Sequence, residues 1–194
     1  MTFEVLKKLD NSGGSILGDY KFLYGFISLV KPRRILEVGT CYGVSAIVMA
    51  MALRDFKLVK SRILTIDINH VVIERATTQI HELGLSKYVE VRCCTSSALD
   101  SETFFDVVFI DGDHTYEGCM LDFNNVKDRA TYILIHDSHQ HGGVRQTVEE
   151  IKNTGLYEFI NIDIGGPGSQ WSRNRVVYRS YPGIAVIKTE EKRT

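Results

Sequence analysis

Short apolar runs alternate with stretches of helical periodicity along most of the chain. Asp19 to Leu29 is mostly apolar and predicts a helix, which Lys31-Pro32 ends because proline disfavours helix at the residue before it. Arg33 to Val38 (RRILEV) predicts a short strand, and Val44 to Leu53, built of small and aliphatic residues, a helix. Arg62 to Asp67 (RILTID) predicts a second strand, followed by a helix from His70 to Leu83 with Gly84 as its stop. The unit then recurs in kind. Tyr88 to Cys93 alternates as a strand, Phe105 to Ile110 (FDVVFI) reads as a buried one, and a helix from Tyr116 to Val126 leads to a strand at Tyr132 to His136 (YILIH). Val144 to Asn153 is an amphipathic helix, and Tyr157 to Ile164 and Ile184 to Lys188 are the last strands.

Strands apolar on both faces and separated by helices imply an α/β sandwich around a largely parallel sheet. The last two strands have no helix between them, so an antiparallel edge hairpin is expected there. No repeat, low-complexity tract or Pro-rich linker breaks the chain, so residues 1–194 are expected to form a single domain. In such a sheet ligands sit beyond the carboxyl ends of the strands, near the point where strand order reverses. The residues just after each strand therefore carry the chemistry.

Composition narrows the classes. The net charge is −1 and no Lys/Arg block stands out, which argues against a nucleic-acid partner. No apolar run approaches the roughly 18 residues of a membrane span, and Met1 to Asp10 lacks the apolar core of a signal peptide. A cytoplasmic protein acting on a small molecule is expected, with homo-oligomerisation left open. Cys41, Cys93, Cys94 and Cys119 form no C-x-x-C pair and are expected to be buried small hydrophobes of a reducing compartment.

After the first strand comes Glu37-Val38-Gly39-Thr40-Cys41-Tyr42-Gly43, opening a helix. A dinucleotide fingerprint, G-x-G-x-x-G, needs a bare second glycine where backbone touches pyrophosphate, and Cys41 stands there. Glu37 adds a carboxylate that a diphosphate would meet with repulsion. A phosphate-free ligand with a cationic amino group suits both facts, and S-adenosylmethionine (SAM) is such a ligand. Asp67, ending the second strand, can accept both hydroxyls of a ribose. Gly39 and Gly43 alone would be explained by a tight turn and close helix packing.

The segment ILEVGTCYGVSAIVMA resembles motif I of the metal-dependent class I O-methyltransferases, the catechol O-methyltransferase type. FDVVFIDGDHTYEGCMLD resembles the corresponding segment of the bacterial branch that methylates sugars and antibiotics. The resemblance runs from Arg33 to Ile151. It implies a seven-stranded, mostly parallel sheet in a three-layer, Rossmann-like sandwich with the antiparallel C-terminal hairpin. It also implies that Glu37, Gly39, Tyr42, Gly43 and Ser45 surround the methionine part of SAM and Asp67 its ribose, with a looser match of Ser96 and Ser97 to adenine.

Asp111 ends the fourth strand and His136-Asp137 the fifth; if the strands are neighbours, their tips converge, and converging carboxylates call for a cation or proton between them. In the resembling enzymes these positions hold a divalent metal, usually magnesium. His136 departs from the pattern, since an Asp or Glu is common there; imidazole moves preference toward manganese, iron or zinc, or leaves His136 outside the ligand set. Capping of the next turn is the bland role of Asp111, Asp113 and Asp137. His114 falls where the family's general base tends to sit, with Asp113 as rival, and a neighbouring metal is expected to lower the imidazole pKa. His139 and His141 are substrate-side candidates. Gly165 to Gly183, carrying Trp171, Arg173, Arg175, Tyr178 and Tyr181, is a lid or a plain surface loop. Three functions stay open: a metal-dependent O-methyltransferase acting on a small-molecule hydroxyl, a metal-free SAM-dependent N- or O-methyltransferase, and a non-catalytic SAM- or nucleotide-binding module.

Overall fold

The computed structural model describes residues 17–162, 170–172, 175–177 and 183–189. Its elements are α1 (Leu17–Val30), β1 (Arg34–Val38), α2 (Val44–Asp55), β2 (Arg62–Asp67), α3 (His70–Glu82), β3 (Val89–Cys93), β4 (Phe105–Ile110), α4 (Tyr116–Val126), β5 (Ala130–His136), α5 (Gly142–Asn153), β6 (Glu158–Ile162), β7 (Gln170–Ser172), β8 (Arg175–Val177) and β9 (Ile184–Lys188). Seven strands form one sheet in the order β3-β2-β1-β4-β5-β9-β6. β1 to β5 are parallel, and β9 runs antiparallel to both neighbours. The expected sheet and hairpin are present, with one refinement. β9 inserts between β5 and β6, so β6 takes the edge and β9 is covered on both sides.

Two apolar clusters lie on opposite faces of the sheet, because successive strand side chains point opposite ways. One gathers Tyr20, Leu23 and Ile27 of α1, the small and aliphatic residues of α2, and Ile35, Val107, Phe109 and Leu134 of the strands. The other gathers Leu36, Val108, Ile110, Ile133 and Ile135 with Phe123 of α4 and Val148 of α5. α2 is buried almost all round, from Val44 to Leu53. That explains its lack of polar positions: a helix under a second layer has no wet face. None of the helices among the described residues is long and apolar enough to cross a membrane.

Of the four cysteines, all free, only Cys119 is buried, while Cys41 and Cys93 are exposed. The expectation of four buried thiols is corrected, because Cys41 and Cys93 lie at strand ends, where the sheet opens to solvent. Residues 163–164 of the last predicted segment but one, and Arg173, Tyr178 and Tyr181 of the long loop, lie outside the described residues. Trp171 and Arg175 fall in β7 and β8, which pair antiparallel as a separate two-stranded sheet.

Candidate active site

Strand order reverses at β1, between β2 and β4, so the loops leaving β1 and β4 part there and open a cleft. The β1 loop is tightly wound: Gly39, Cys41 and Gly43 have φ of 101°, 44° and 77°. Asp67 pins it. One carboxylate oxygen accepts the Cys41 N–H at 2.9 Å and the other the Asn69 N–H at 2.9 Å. The Gly39 and Thr40 N–H groups are held by the Ile66 carbonyl at 2.9 and 3.1 Å. Gly43 precedes α2, and a Cβ there would come within 3.0 Å of Ala76 Cβ on α3. Tyr42 lies under the guanidinium of Arg75, 4.4 Å from its ring centre.

Glu37 does not face this cleft. Alternation along β1 puts it on the same side as Ile35, under α2, where it is fully buried. Its carboxyl accepts the Ser45 hydroxyl and, at 2.5 Å, that of Thr65, its register partner on β2. Thr40 and Thr65 hydroxyls lie 2.7 Å apart, extending the network to the loop. Glu37 and Ser45, expected beside the methionine part of SAM, bond to each other and to Thr65 beneath the loop. Burial pushes the Glu37 carboxyl up to about 8, against the two hydroxyls that favour its charged form. A folded-state pKa above the unfolded one gives stability that is full below the unfolded value and fades as pH rises through the folded one. Stability should thus fall between about pH 4.5 and 8. Glu37→Gln, which stays neutral, should flatten that fall in urea unfolding measured across the range; an unchanged pH slope would refute the buried neutral acid.

Ser96 is also turned away from the cleft. Buried in a 3₁₀ turn after β3, it donates to Asp122 at 2.6 Å and accepts from Asn125 at 2.9 Å, both on α4. Its side chain, expected near adenine, ties this loop to the helix. Ser97 accepts from the same Asn125 amide at 2.9 Å but is exposed.

The β4 and β5 tips converge as expected. Ile110 and Ile135 are register partners, and the next residues, Asp111 and His136, are brought side by side. His136 Nδ1 lies 3.0 Å from Asp111 Oδ1 and 3.5 Å from Asp137 Oδ1. Its Nε2 is 3.1 Å from Asp19 Oδ2, on α1 and 2% exposed. Asp19 was not singled out from the sequence, yet a signal existed: it shares a helix face with Leu23 and Ile27 at i+4 and i+8. Asp137 is held in the left-handed region at φ 57°, a strain of roughly 1–3 kcal/mol that cross-linked surroundings must hold in place. Its carbonyl accepts the N–H groups of Gln140 and His141 at 3.1 and 3.3 Å, closing a turn into α5.

His114 joins this group. Its Nε2 is 2.8 Å from Asp137 Oδ2 and 3.6 Å from Asp111 Oδ1. Asp113 does not join it. Asp113 accepts the Thr115 N–H at 2.9 Å and lies against Gly118, where a Cβ would overlap its carboxylate. Asp113, the rival base, thus forms a turn at the start of α4, whose cap is Thr115. In the protein by itself the Asp111 and Asp137 carboxylates raise the His114 pKa to about 9; the expected lowering concerns a neighbouring metal. Burial raises Asp111, but the neighbouring His136 and His114 imidazoles outweigh it and hold the carboxyl at about 2. His136 lies well above the usual imidazole range: burial opposes its charge, and Asp111, Asp19 and Asp137 overcome that.

The donor atoms of Asp111, His136 and Asp137 lie within 4.8 Å of one another. With Asp19 taking the Nε2 proton, the Nδ1 lone pair of His136 faces both carboxylates, the carboxylate–imidazole arrangement that orients a metal ligand. Oxygen and nitrogen donors so arranged fit a divalent cation. An imidazolium would satisfy the same two contacts, so the geometry accommodates either.

A family model described as a methyltransferase domain matches residues 36–138, over half of the chain. No curated protein matches. Several solved structures share the fold. An O-methyltransferase from Bacillus cereus in complex with S-adenosylhomocysteine (SAH) aligns with TM-score 0.72 and 21% identity, over 96% of this chain and 90% of that one. The O-methyltransferase TomG of Streptomyces achromogenes, involved in tomaymycin synthesis and in complex with SAM, aligns with TM-score 0.68 and 21% identity, over 91% and 81%. The SAH-bound methyltransferase PaMTH1 of Podospora anserina aligns with TM-score 0.72 and 15% identity, over 94% and 82%. At these identities the likeness is one of fold.

Proposed function

The chain belongs to the family of methyltransferase domains, and from that premise we propose that it transfers the methyl group of SAM to a hydroxyl of a small molecule, with a divalent cation at the strand tips. One observation carries the reading: the wound β1 loop pinned by Asp67 and the Asp111–His136–Asp137 group flank the same strand-order reversal. Asp67 spends one lone pair of each oxygen on backbone N–H groups. A carboxylate oxygen has two, so the pair facing the cleft remains for ribose hydroxyls. Gly39 and Gly43 bring backbone close enough to bind the methionine part, and Tyr42 borders it. SAM, when bound, supplies an electrophilic methyl on a sulfonium.

Asp111, Asp137 and His136 would hold the cation, manganese being as well suited as magnesium because of the imidazole. A divalent cation there supplies Lewis acidity, easing loss of a hydroxyl proton. The protein's own work is to fix the acceptor oxygen in line with the methyl and to take its proton. His114 is the residue for that, at the cleft mouth and partly exposed. Charge on Asp111 and Asp137 is what keeps it protonated; once a cation neutralises them, its neutral form becomes accessible near neutral pH.

The test is calorimetry joined to turnover of labelled SAM over a panel of phenols and sugars. Asp67→Ala should weaken SAM binding by roughly 1–3 kcal/mol through lost hydrogen bonds to a charged group. Unchanged affinity would remove SAM from the cleft. EDTA should suppress turnover and Mg²⁺ or Mn²⁺ restore it. A second reading, favoured by the two close contacts of His136 to Asp19 and Asp111, has an imidazolium in place of the metal; turnover indifferent to EDTA would establish it.

A further inference from the structure

Asp137 has two carboxylate oxygens, and they serve different neighbours. Oδ1 faces His136 Nδ1 at 3.5 Å, within the group described above. Oδ2 faces His114 Nε2 at 2.8 Å and His141 Nε2 at 3.5 Å. The two imidazole rings lie 4.3 Å apart, centre to centre, and 33° from parallel. Both present Nε2 to the same oxygen, and the three donor atoms fall within 4.8 Å of one another. His114 Nε2 is shut off from solvent yet makes no hydrogen bond of proper geometry, although Asp137 Oδ2 is near. A buried polar atom without a directed partner calls for an explanation. An ion placed among the three atoms provides one.

We propose that His114, Asp137 and His141 form a second cation site, distinct from the Asp111–His136–Asp137 group and bridged to it by the Asp137 carboxylate. Its donors are two neutral imidazoles and one carboxylate oxygen, a set that suits Zn²⁺, Co²⁺, Ni²⁺ or Mn²⁺. Mg²⁺ prefers oxygen ligands, and a set with two imidazoles suits it poorly. One carboxylate with an oxygen toward each of two sites is the arrangement of two-metal centres, whose ions lie roughly 3.5–4 Å apart.

The scaffold around the site is rigid. The first turn of α5 sits directly on the loop that carries His114: a Cβ at Gly143 would lie 2.6 Å from the His114 carbonyl oxygen and 2.5 Å from the Tyr116 nitrogen. His141 immediately precedes α5, and its side chain caps no helix N–H. Asp137 and His141 are joined through the turn that the Asp137 carbonyl closes. Three donors on two touching loops are thus held together before any ion arrives, which removes ordering cost from binding. Filling the site takes the Nε2 lone pair of His114, so an ion there blocks proton transfer by that residue and inhibits methyl transfer.

The proposal does not need the methyl-transfer reading, and the test separates the two. Metal-stripped protein is titrated with Co²⁺, followed by calorimetry and by the visible absorption of nitrogen-ligated Co²⁺, with Mg²⁺ in excess or absent. Two ions per chain are expected, and excess Mg²⁺ should leave in place the one held by two imidazoles. His141→Ala should weaken that ion at least about 100-fold, at the upper end of what loss of a ligand's supporting partner costs, and spare the other. Asp111→Asn should do the opposite. His141 is partly exposed and caps nothing, and thermal melts verify that the variant is folded. His114→Gln should lose the same absorption bands as His141→Ala. A single ion weakened alike by His141→Ala and Asp111→Asn means one composite centre and overturns the proposal. So does a His141→Ala protein that titrates as wild type. A wild-type titration showing only the His141-dependent ion would count against the strand-tip metal and leave this site standing.

Discussion

Replacing His114 with alanine should slow methyl transfer by roughly 10²–10⁴-fold, the usual worth of a positioned general base, while SAM affinity stays close to wild type. The residue sits at the strand-tip carboxylates, 2.8 Å from Asp137. The pH profile carries a second signature. Asp111 and Asp137 raise His114 from 6.5 to about 9 in the protein by itself, so its neutral, proton-accepting fraction grows as pH rises through about 9. With Mg²⁺ bound by those carboxylates the acidic limb of the profile should move down, and EDTA should move any residual activity back toward the higher value. In His114→Ala the limb should vanish. Stability has the opposite sense: the charged His114 supports the fold below about pH 6.5, and that support is lost as pH rises through 9. A His114→Ala enzyme that keeps its rate and its acidic limb would take the base role away from this residue.

Gly39→Ala should be strongly destabilising. A Cβ at residue 39 would overlap the carbonyl oxygen of Asp111, and the backbone φ is 101°. The left-handed conformation costs an L-residue roughly 1–3 kcal/mol, and forcing the β1 and β4 ends apart adds about 1–3 more. Unfolding in urea should therefore show a loss of roughly 2–6 kcal/mol, together with weakened SAM binding, since the same shift moves the loop and the Asp111 tip. Gly84 supplies the control. Its φ is 67° but nothing lies within 4 Å of a Cβ there, so Gly84→Ala should cost only about 1–2 kcal/mol and leave the cleft intact. Equal losses in both variants would show that backbone conformation, and not the contact with Asp111, sets the requirement for glycine.

Much of the architecture was legible because it depends on local periodicity. FDVVFI and IAVIK are apolar except for Asp106 near the start of one and Lys188 at the end of the other, so both read as buried strands, and β4 and β9 span those residues. The start of β5 was read two residues late because Ala130 and Thr131 lack a strand's apolar weight; pairing with β4 and β9 recruits them. In the site, the convergence of Asp111, His136 and Asp137 followed from the rule that loops after neighbouring parallel strands meet.

The chain's sequence by itself determined the order of strands and helices, the glycine-bearing turn after β1, and the carboxylate and imidazole groups at the strand ends, since each is encoded in a window of a few residues. Tertiary structure alone decided which way those groups face. Glu37 reads as a strand-tip carboxylate but lies on the Ile35 side of β1, so the arrival of α2 and Thr65 buries it. Asp113 and His114 are adjacent in the chain, yet the packing of α4 turns one to the helix and the other to Asp137. Asp19 reaches His136 only because α1 packs across β5, 117 residues away in sequence. Burial and long-range pairing set the charge of a titratable group, and neither is a property of its neighbours in the chain.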